Sequence, residues 1–330
     1  MIISASYKTD IPTFYGEWFK NRLEAGFCKM VNPYNQQVYK VELTPESVDG
    51  FVFWTKNIGP FLKHLPEVHE KGYAFIVQHT INGYPRELEF RVINYSHTIE
   101  HMKKLSGEYG PNVAVWRYDP VIISSLTPLE WHRRNFEKLA SALEGTTDEV
   151  VVSFAQIYKK TKRNMDWAAK EFGFNWDEHE TMSDEDVKGL VTELVQIAKS
   201  YGMQLKICSQ KAYLIPGIIE EARCVDADRL EMISNKLIKG KSKQKGNRKE
   251  CGCFASKDIG EYDTCPHGCV YCYAVQNRDL ALQRYKAHNP MSEFLFPPSK
   301  DVEMKAPQII QVAKVHKKDV VDTVVQEELF

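Results

Sequence analysis

Six short apolar runs, at residues 2–6, 50–55, 73–80, 113–118, 150–154 and 204–208, recur along the chain with helical patterns between them. Each run is nearly continuous in apolar, β-branched or aromatic residues instead of alternating with polar ones. That pattern belongs to parallel strands covered on both faces. The intervening helices have recognisable starts. Thr127-Pro128-Leu129-Glu130 offers an N-cap threonine, a proline at the first helical position and a glutamate to reach back. Ser183 with Asp186 stands at capping-box spacing before VKGLVTELVQIAKSYG. Six strand–helix alternations predict an α/β fold, either a partial TIM-like (βα)6 barrel or a doubly wound sheet. No internal repeat is evident. After Cys208 the alternation stops. An irregular stretch with Cys224, a helix near 228–238, a basic stretch and a cysteine-rich segment follow. The expected organisation is one unit over 1–289, carrying a cluster segment at about 250–275, and a tail over 290–330 rich in Lys, Val and Pro.

In both candidate folds, chemistry gathers where strands end at their carboxyl termini. The residues expected there are Ser4 and Ser6, Thr55 and Lys56, Gln78 and Thr80, Arg117 and Asp119, Ser153 and Gln156, and Cys208 and Ser209. Any one pair is an ordinary cap or turn. Six strands ending this way predict a polar mouth.

No run of about 18 apolar residues is present, so no membrane span is expected. The start, MIISASYKTDIP, lacks the basic and apolar regions of a signal peptide, and a cytoplasmic location is expected. The eight cysteines should then be reduced thiols, and their clustering points to metal binding or catalysis instead of disulfides. A formal net charge of -1 gives no global pull toward nucleic acid. Yet KLIKGKSKQKGNRKE concentrates Lys236, Lys239, Lys241, Lys243, Lys245, Arg248 and Lys249. This stretch reads either as a solvated linker or as a phosphate-contacting loop.

The densest chemistry lies in DTCPHGCVYCYA, where Cys265, Cys269 and Cys272 are spaced C-x3-C-x2-C. Three thiolates can hold three irons of a [4Fe–4S] cluster and leave the fourth open. An open iron can be chelated by the amino and carboxylate groups of S-adenosylmethionine (SAM), whose reductive cleavage yields a 5′-deoxyadenosyl radical that abstracts hydrogen. Pro266 and Gly268 suit a tight loop around a cluster, and Tyr271 and Tyr273 could flank the cofactor. Two other readings stay open: His267 completing a Cys3His zinc site, and a structural or electron-transfer cluster with a further ligand.

The spacing, with an aromatic residue just before the third cysteine, is the signature of the radical SAM superfamily. The segments SASYKTDIPTFYGEWF, FVFWTKN, WRYDP and CGCFASKDIGEYDTCPHGCVYCYA together resemble an uncharacterised bacterial family of radical-SAM-like proteins with a C-terminal cysteine cluster. That family is similar to spore photoproduct lyase and its relatives. The resemblance runs to about residue 289. It implies a partial TIM-like barrel with the cluster at its mouth, permuted so that the cluster loop follows the strands. No GGE-type stretch for the SAM amino group is found, which leaves the strand-end residues as candidate cofactor contacts.

Cys208, Cys224, Cys251 and Cys253 number four, the complement of an all-cysteine [4Fe–4S] site or a tetrahedral zinc site. A second metal site is expected, a cluster ahead of zinc. Buried apolar roles are the alternative. By resemblance to the photoproduct lyases, Cys208 could instead donate a hydrogen atom. Cys28 reads as a core residue.

The leading expectation is a radical SAM enzyme acting on DNA or another nucleic acid, in repair or base modification, with a flavodoxin, ferredoxin or reductase as electron donor. Chemistry on a base needs the nucleotide out of its stack, and a polar mouth beside a basic loop could receive it. Radical chemistry on a peptide or small metabolite, and a non-catalytic iron–sulfur or zinc interaction protein, are the alternatives. The final QEELF (Gln326, Leu329 and Phe330 as contacts) resembles the peptide by which bacterial replication and repair proteins dock on the DNA sliding clamp.

Overall fold

The protein is described from a computed structural model covering residues 1–32, 35–176, 182–238, 244–245 and 250–298. Ten strands appear in chain order among the described residues. They are β1 (Ile2–Ala5), β2 (Phe27–Val31), β3 (Val38–Glu42), β4 (Gly50–Thr55), β5 (Phe75–Thr80), β6 (Ala114–Val121), β7 (Glu149–Phe154), β8 (Gln204–Ile207), β9 (Glu220–Glu221) and β10 (Ser256–Asp258). Eight of them form one sheet in the order β10-β1-β4-β5-β6-β7-β8-β9, with every neighbouring pair parallel. The six strands expected from the apolar runs occupy its centre in chain order. Two edge strands extend the sheet, and β2 and β3 pair as a separate antiparallel hairpin. This is an α/β fold.

The alternation of side chains along each strand gives the sheet two distinct faces. On one, Phe51, Phe53, Phe75, Val77, Trp116 and Val152 pack with helix residues such as Trp18, Phe61, Leu105, Phe136 and Leu194. Phe19 meets Phe51, Phe53 and Phe61 at ring separations of 5.2, 5.3 and 5.4 Å, and Trp116 stacks on Phe136 at 4.8 Å. Such edge and offset contacts add to the burial of large apolar area. On the opposite face, Ile2, Val52, Ile76, Val115 and Val151 pack with Ala227 and Leu230 of the helix Ala227–Ser234. Toward the carboxyl ends of the strands that face turns polar, as the alternation from Ile2 to Ser4, Ile76 to Gln78, Val115 to Arg117 and Val151 to Ser153 requires.

The Ser183 capping box forms as expected and opens the helix Asp184–Ser200. Thr127 does not cap. The helix is Leu129–Ala142 with Pro128 at its N-cap, and the Thr127 hydroxyl donates to Ile122 O at 2.7 Å instead. A buried carbonyl needs a partner, and its bond takes the hydroxyl that the sequence reading assigned to the helix end. Strand β6 runs past the expected end through Pro120, and β10 lies in a polar stretch with no strand-like pattern. Cys28 is fully buried in the core. Residues 290–295 pack back onto the fold: Trp18 Nε1 donates to Ser292 O (3.0 Å), Lys29 N donates to Glu293 O (2.8 Å), and Leu295 is buried. Among the described residues no helix is long and apolar enough to cross a membrane.

Candidate metal and cofactor site

The cysteine triplet lies on a loop that leaves the carboxyl end of β10 and is closed at its neck. Asp263 N donates to Ala274 O (3.1 Å), while the Asp263 carboxylate accepts from the backbone N–H groups of Gln276 and Asn277. Gly268, between the first two cysteines, has φ +74°, a left-handed turn that costs glycine little. The loop is pinned to the segment after β5 through Val270 N to Leu88 O (3.1 Å) and Arg91 N to His267 O (2.9 Å).

Burial pushes all three triplet thiols up, and the neighbouring thiols raise Cys265 and Cys269 further. At Cys269 the Lys56 ammonium acts in the opposite direction. Backbone N–H groups already point at two of the sulfurs. Ala274 N lies 3.3 Å from Cys272 Sγ, where Val275 N also donates, and His267 N donates to Cys265 Sγ. Donors of this kind stabilise metal-bound thiolates and tune clusters. One buried and two half-buried thiols, a shared loop and aimed N–H groups fit a cluster held by Cys265, Cys269 and Cys272. Among the described residues, no three His, Cys, Asp or Glu side chains are gathered as a ready-made metal site.

His267 Nε2 is 2.8 Å from Asp10 Oδ2 in a buried contact. Burial acts to raise the Asp10 carboxyl, but this partner and the backbone N–H groups of Lys56 and Thr13 hold it below the usual carboxylate range. A histidine so engaged braces the loop, while its Nδ1 is buried with no hydrogen-bond partner among the described residues, so the Cys3His zinc reading keeps its fourth ligand.

The strand-end residues divide into two groups on the polar face. Near the triplet, the Ser4 and Ser6 hydroxyls both donate to Asp258 at 2.8 Å, joined by Tyr7 N (3.0 Å) and Gly260 N (2.9 Å). Lys56 Nζ lies 2.7 Å from Glu89 Oε1, and the Tyr271 hydroxyl donates to the same carboxylate oxygen. Asn82 Nδ2 approaches that hydroxyl at 3.3 Å. Tyr273 is partly exposed and donates to Tyr7 O. A cavity of about 220 Å³ opens beside these groups, lined by Lys56, Thr80, Asn82, Tyr84 and Glu89 among others.

Further along the sheet, Arg117 donates to Asp119, to Gln78 Oε1 (3.2 Å) and to Cys224 Sγ (2.8 Å), and Ser153 donates to Asp119. Cys208 Sγ is 3.5 Å from Cys224 Sγ. Trp54 links the groups: its Nε1 donates to Ser4 Oγ at 3.0 Å, and the Arg117 guanidinium sits 5.2 Å over its ring.

Thr55 departs from the expected mouth. Its side chain lies on the helix-covered face, beside Thr13 Oγ1 (3.1 Å) and capping Asn57 N (2.9 Å), because strand alternation sends it away from its neighbours Trp54 and Lys56. Gln156 lies outside the polar network, its Oε1 accepting from the Tyr158 hydroxyl at 2.8 Å. The backbone of Ser209 has φ 54°. Asp10, Asn82, Glu89 and Asp258 were not anticipated. Of these, only Asp10 and Asp258 lie in segments that the family resemblance singles out.

The fold and site define a parallel α/β protein that carries a cysteine triplet, one thiol buried and two half-buried, at the carboxyl ends of its strands. The chain belongs to the family described as a domain of unknown function, DUF1848, which matches residues 2–274 and so includes both cysteine groups. No curated protein and no solved structure gives a significant match.

Proposed function

We propose that this protein is a radical SAM enzyme whose sheet is a permuted partial barrel. The observation that carries the reading is the position of β10. It pairs in parallel with β1 at the edge of the sheet, so the triplet loop that follows it enters beside the first strand. In ordinary radical SAM enzymes the cluster loop opens the strands. Here a late strand brings it to the corresponding edge.

A [4Fe–4S] cluster held by Cys265, Cys269 and Cys272 would supply the electron that cleaves SAM reductively. The chain's own residues bind and orient. Lys56 and Glu89 set the charge next to the triplet, and Tyr271 is locked by Glu89 so that its ring forms a fixed wall. Asp119, Arg117, Ser153 and Gln78 further along the polar face, and Thr80 in the cavity lining, would offer polar contacts to the amino, carboxylate and ribose groups of SAM. The Cys208–Cys224 contact favours a ligand role for Cys208 over hydrogen donation.

The cavity presents the Tyr84 ring beside Lys56, Asn82 and Glu89, an aromatic face with polar groups of the kind that holds an extruded base, which supports a nucleic acid substrate, DNA first. Of the basic stretch only Lys236 and Lys245 are among the described residues, and the QEELF tail lies outside them.

The test is anaerobic reconstitution with iron, sulfide and a low-potential reductant, followed by a 5′-deoxyadenosine assay. The wild-type chain should form it from SAM, and the Cys265→Ala/Cys269→Ala/Cys272→Ala variant should not. Equal formation by both chains, or none by a wild-type chain loaded with four irons, rejects the proposal.

A further inference from the structure

Four cysteines outside the triplet are brought together from the two edges of the sheet. Cys208 follows β8, Cys224 follows β9, and Cys251 and Cys253 precede β10. Cys208 Sγ lies 3.5 Å from Cys224 Sγ. Cys253 Sγ accepts the backbone N–H groups of Cys224 (3.2 Å) and Val225 (3.4 Å), and its side chain is hydrogen-bonded to those of Cys224 and Cys251. Phe254 N donates to Val225 O at 3.0 Å, so the two segments are also joined by backbone. The sulfurs run as a chain of contacts, 208–224–253–251, and do not surround a common centre.

We propose that Cys208, Cys224, Cys251 and Cys253 bind a single zinc ion in a tetrahedral thiolate shell. Spacing separates this from a second four-iron cluster. With Zn–S bonds of about 2.3 Å, the edge of a tetrahedron of sulfurs is about 3.8 Å, close to the Cys208–Cys224 separation. In a four-iron cluster each thiolate caps a different iron, and ligand sulfurs in mutual contact do not suit it. The surroundings fit a closed structural site. Cys208, Cys224 and Cys253 are buried, and Cys251 is partly so, which leaves it free to swing in as the last ligand. Four thiols lose their protons on binding, and the shell carries two net negative charges. The Arg117 guanidinium, 2.8 Å from Cys224 Sγ, stands against that charge, and the N–H groups of Cys224 and Val225 donate to Cys253.

The metal would tie the segment after β9 to the segment before β10. These belong to opposite edges of the sheet, where no strand pairing joins them among the described residues. The chain passes from this tie through β10 into the triplet loop, so the tie would fix the base of that loop. The site does not depend on the radical SAM reading, and its test is run without the triplet.

The full-length Cys265→Ser/Cys269→Ser/Cys272→Ser variant, purified anaerobically, should retain about one zinc per chain with no acid-labile sulfide. A further Cys224→Ser/Cys253→Ser change should remove it. Should these variants fail to fold, zinc X-ray absorption on the wild-type chain gives the same information: four sulfur neighbours at about 2.3 Å are expected. Iron with labile sulfide at this site, a single iron, or four titratable thiols with no bound metal would overturn the proposal.

Discussion

Lys56 at the end of β4 and Glu89 in the segment after β5 meet at 2.7 Å, in a buried ion pair that also receives the Tyr271 hydroxyl. The pair joins two sheet connections to the cysteine loop. Removing one partner strands the other charge away from water, which typically costs about 3–5 kcal/mol. Lys56→Met should therefore destabilise the fold by about that much in urea denaturation. The Lys56→Met/Glu89→Leu double change should recover most of the loss. A single-variant effect below about 1 kcal/mol would show that the pair is not buried in solution.

His79 gives the acid limb of stability a defined sign. Burial pushes its imidazole down to about 3 from the ordinary 6.5, and Nε2 accepts the Ile58 N–H at 3.2 Å, so the folded protein holds it neutral. Between those two values the unfolded chain takes up a proton that the folded chain refuses. The contribution is thus complete above about pH 6.5 and is lost as pH falls toward 3, at about 1.4 kcal/mol per pH unit for one proton. His79→Gln, which keeps an acceptor for Ile58, should flatten the stability–pH curve between pH 6 and 4.5 by about that slope. An unchanged slope would contradict a neutral buried His79.

Asp258 accepts four hydrogen bonds, from Ser4, Ser6, Tyr7 and Gly260, which ties β10 to the end of β1. Hydrogen bonds to a charged group contribute about 1.5–3 kcal/mol each. Asp258→Asn turns an amide toward donors and should lower stability by about 3 kcal/mol or more. Gly260→Ala attacks the same junction by another route, since an added Cβ would lie 2.0 Å from Ser6 Oγ. Both variants should lower the melting temperature, and a neutral result for both would argue against this junction.

The QEELF ending makes a prediction that is independent of the fold. Deleting residues 326–330 should abolish capture by a bacterial sliding clamp and leave the melting temperature unchanged if Leu329 and Phe330 are the anchors that the resemblance to clamp-docking peptides implies. A full-length chain that ignores the clamp, or a deletion that lowers the melting temperature, returns the tail to a packing role.

Local pattern carried much of this architecture. The six apolar runs specified six parallel strands because a strand buried on both faces needs apolar residues at nearly every position. The Ser183 box specified a helix start because its two bonds close within four residues. The triplet's spacing placed three thiols on one loop for the same reason. Tertiary structure decided the rest. Strand β10 has three residues and no apolar pattern, and its pairing with β1 arises from contacts more than 250 positions apart. Thr55 and Lys56 looked equivalent in sequence, but alternation sent one to each face. Glu89, Asn82 and Asp10 carried no local signal, since a carboxylate or amide becomes a site residue only through the partners the fold delivers. The contact of Cys208 with Cys224 likewise depends on the chain turning back through β9, and no spacing encodes it.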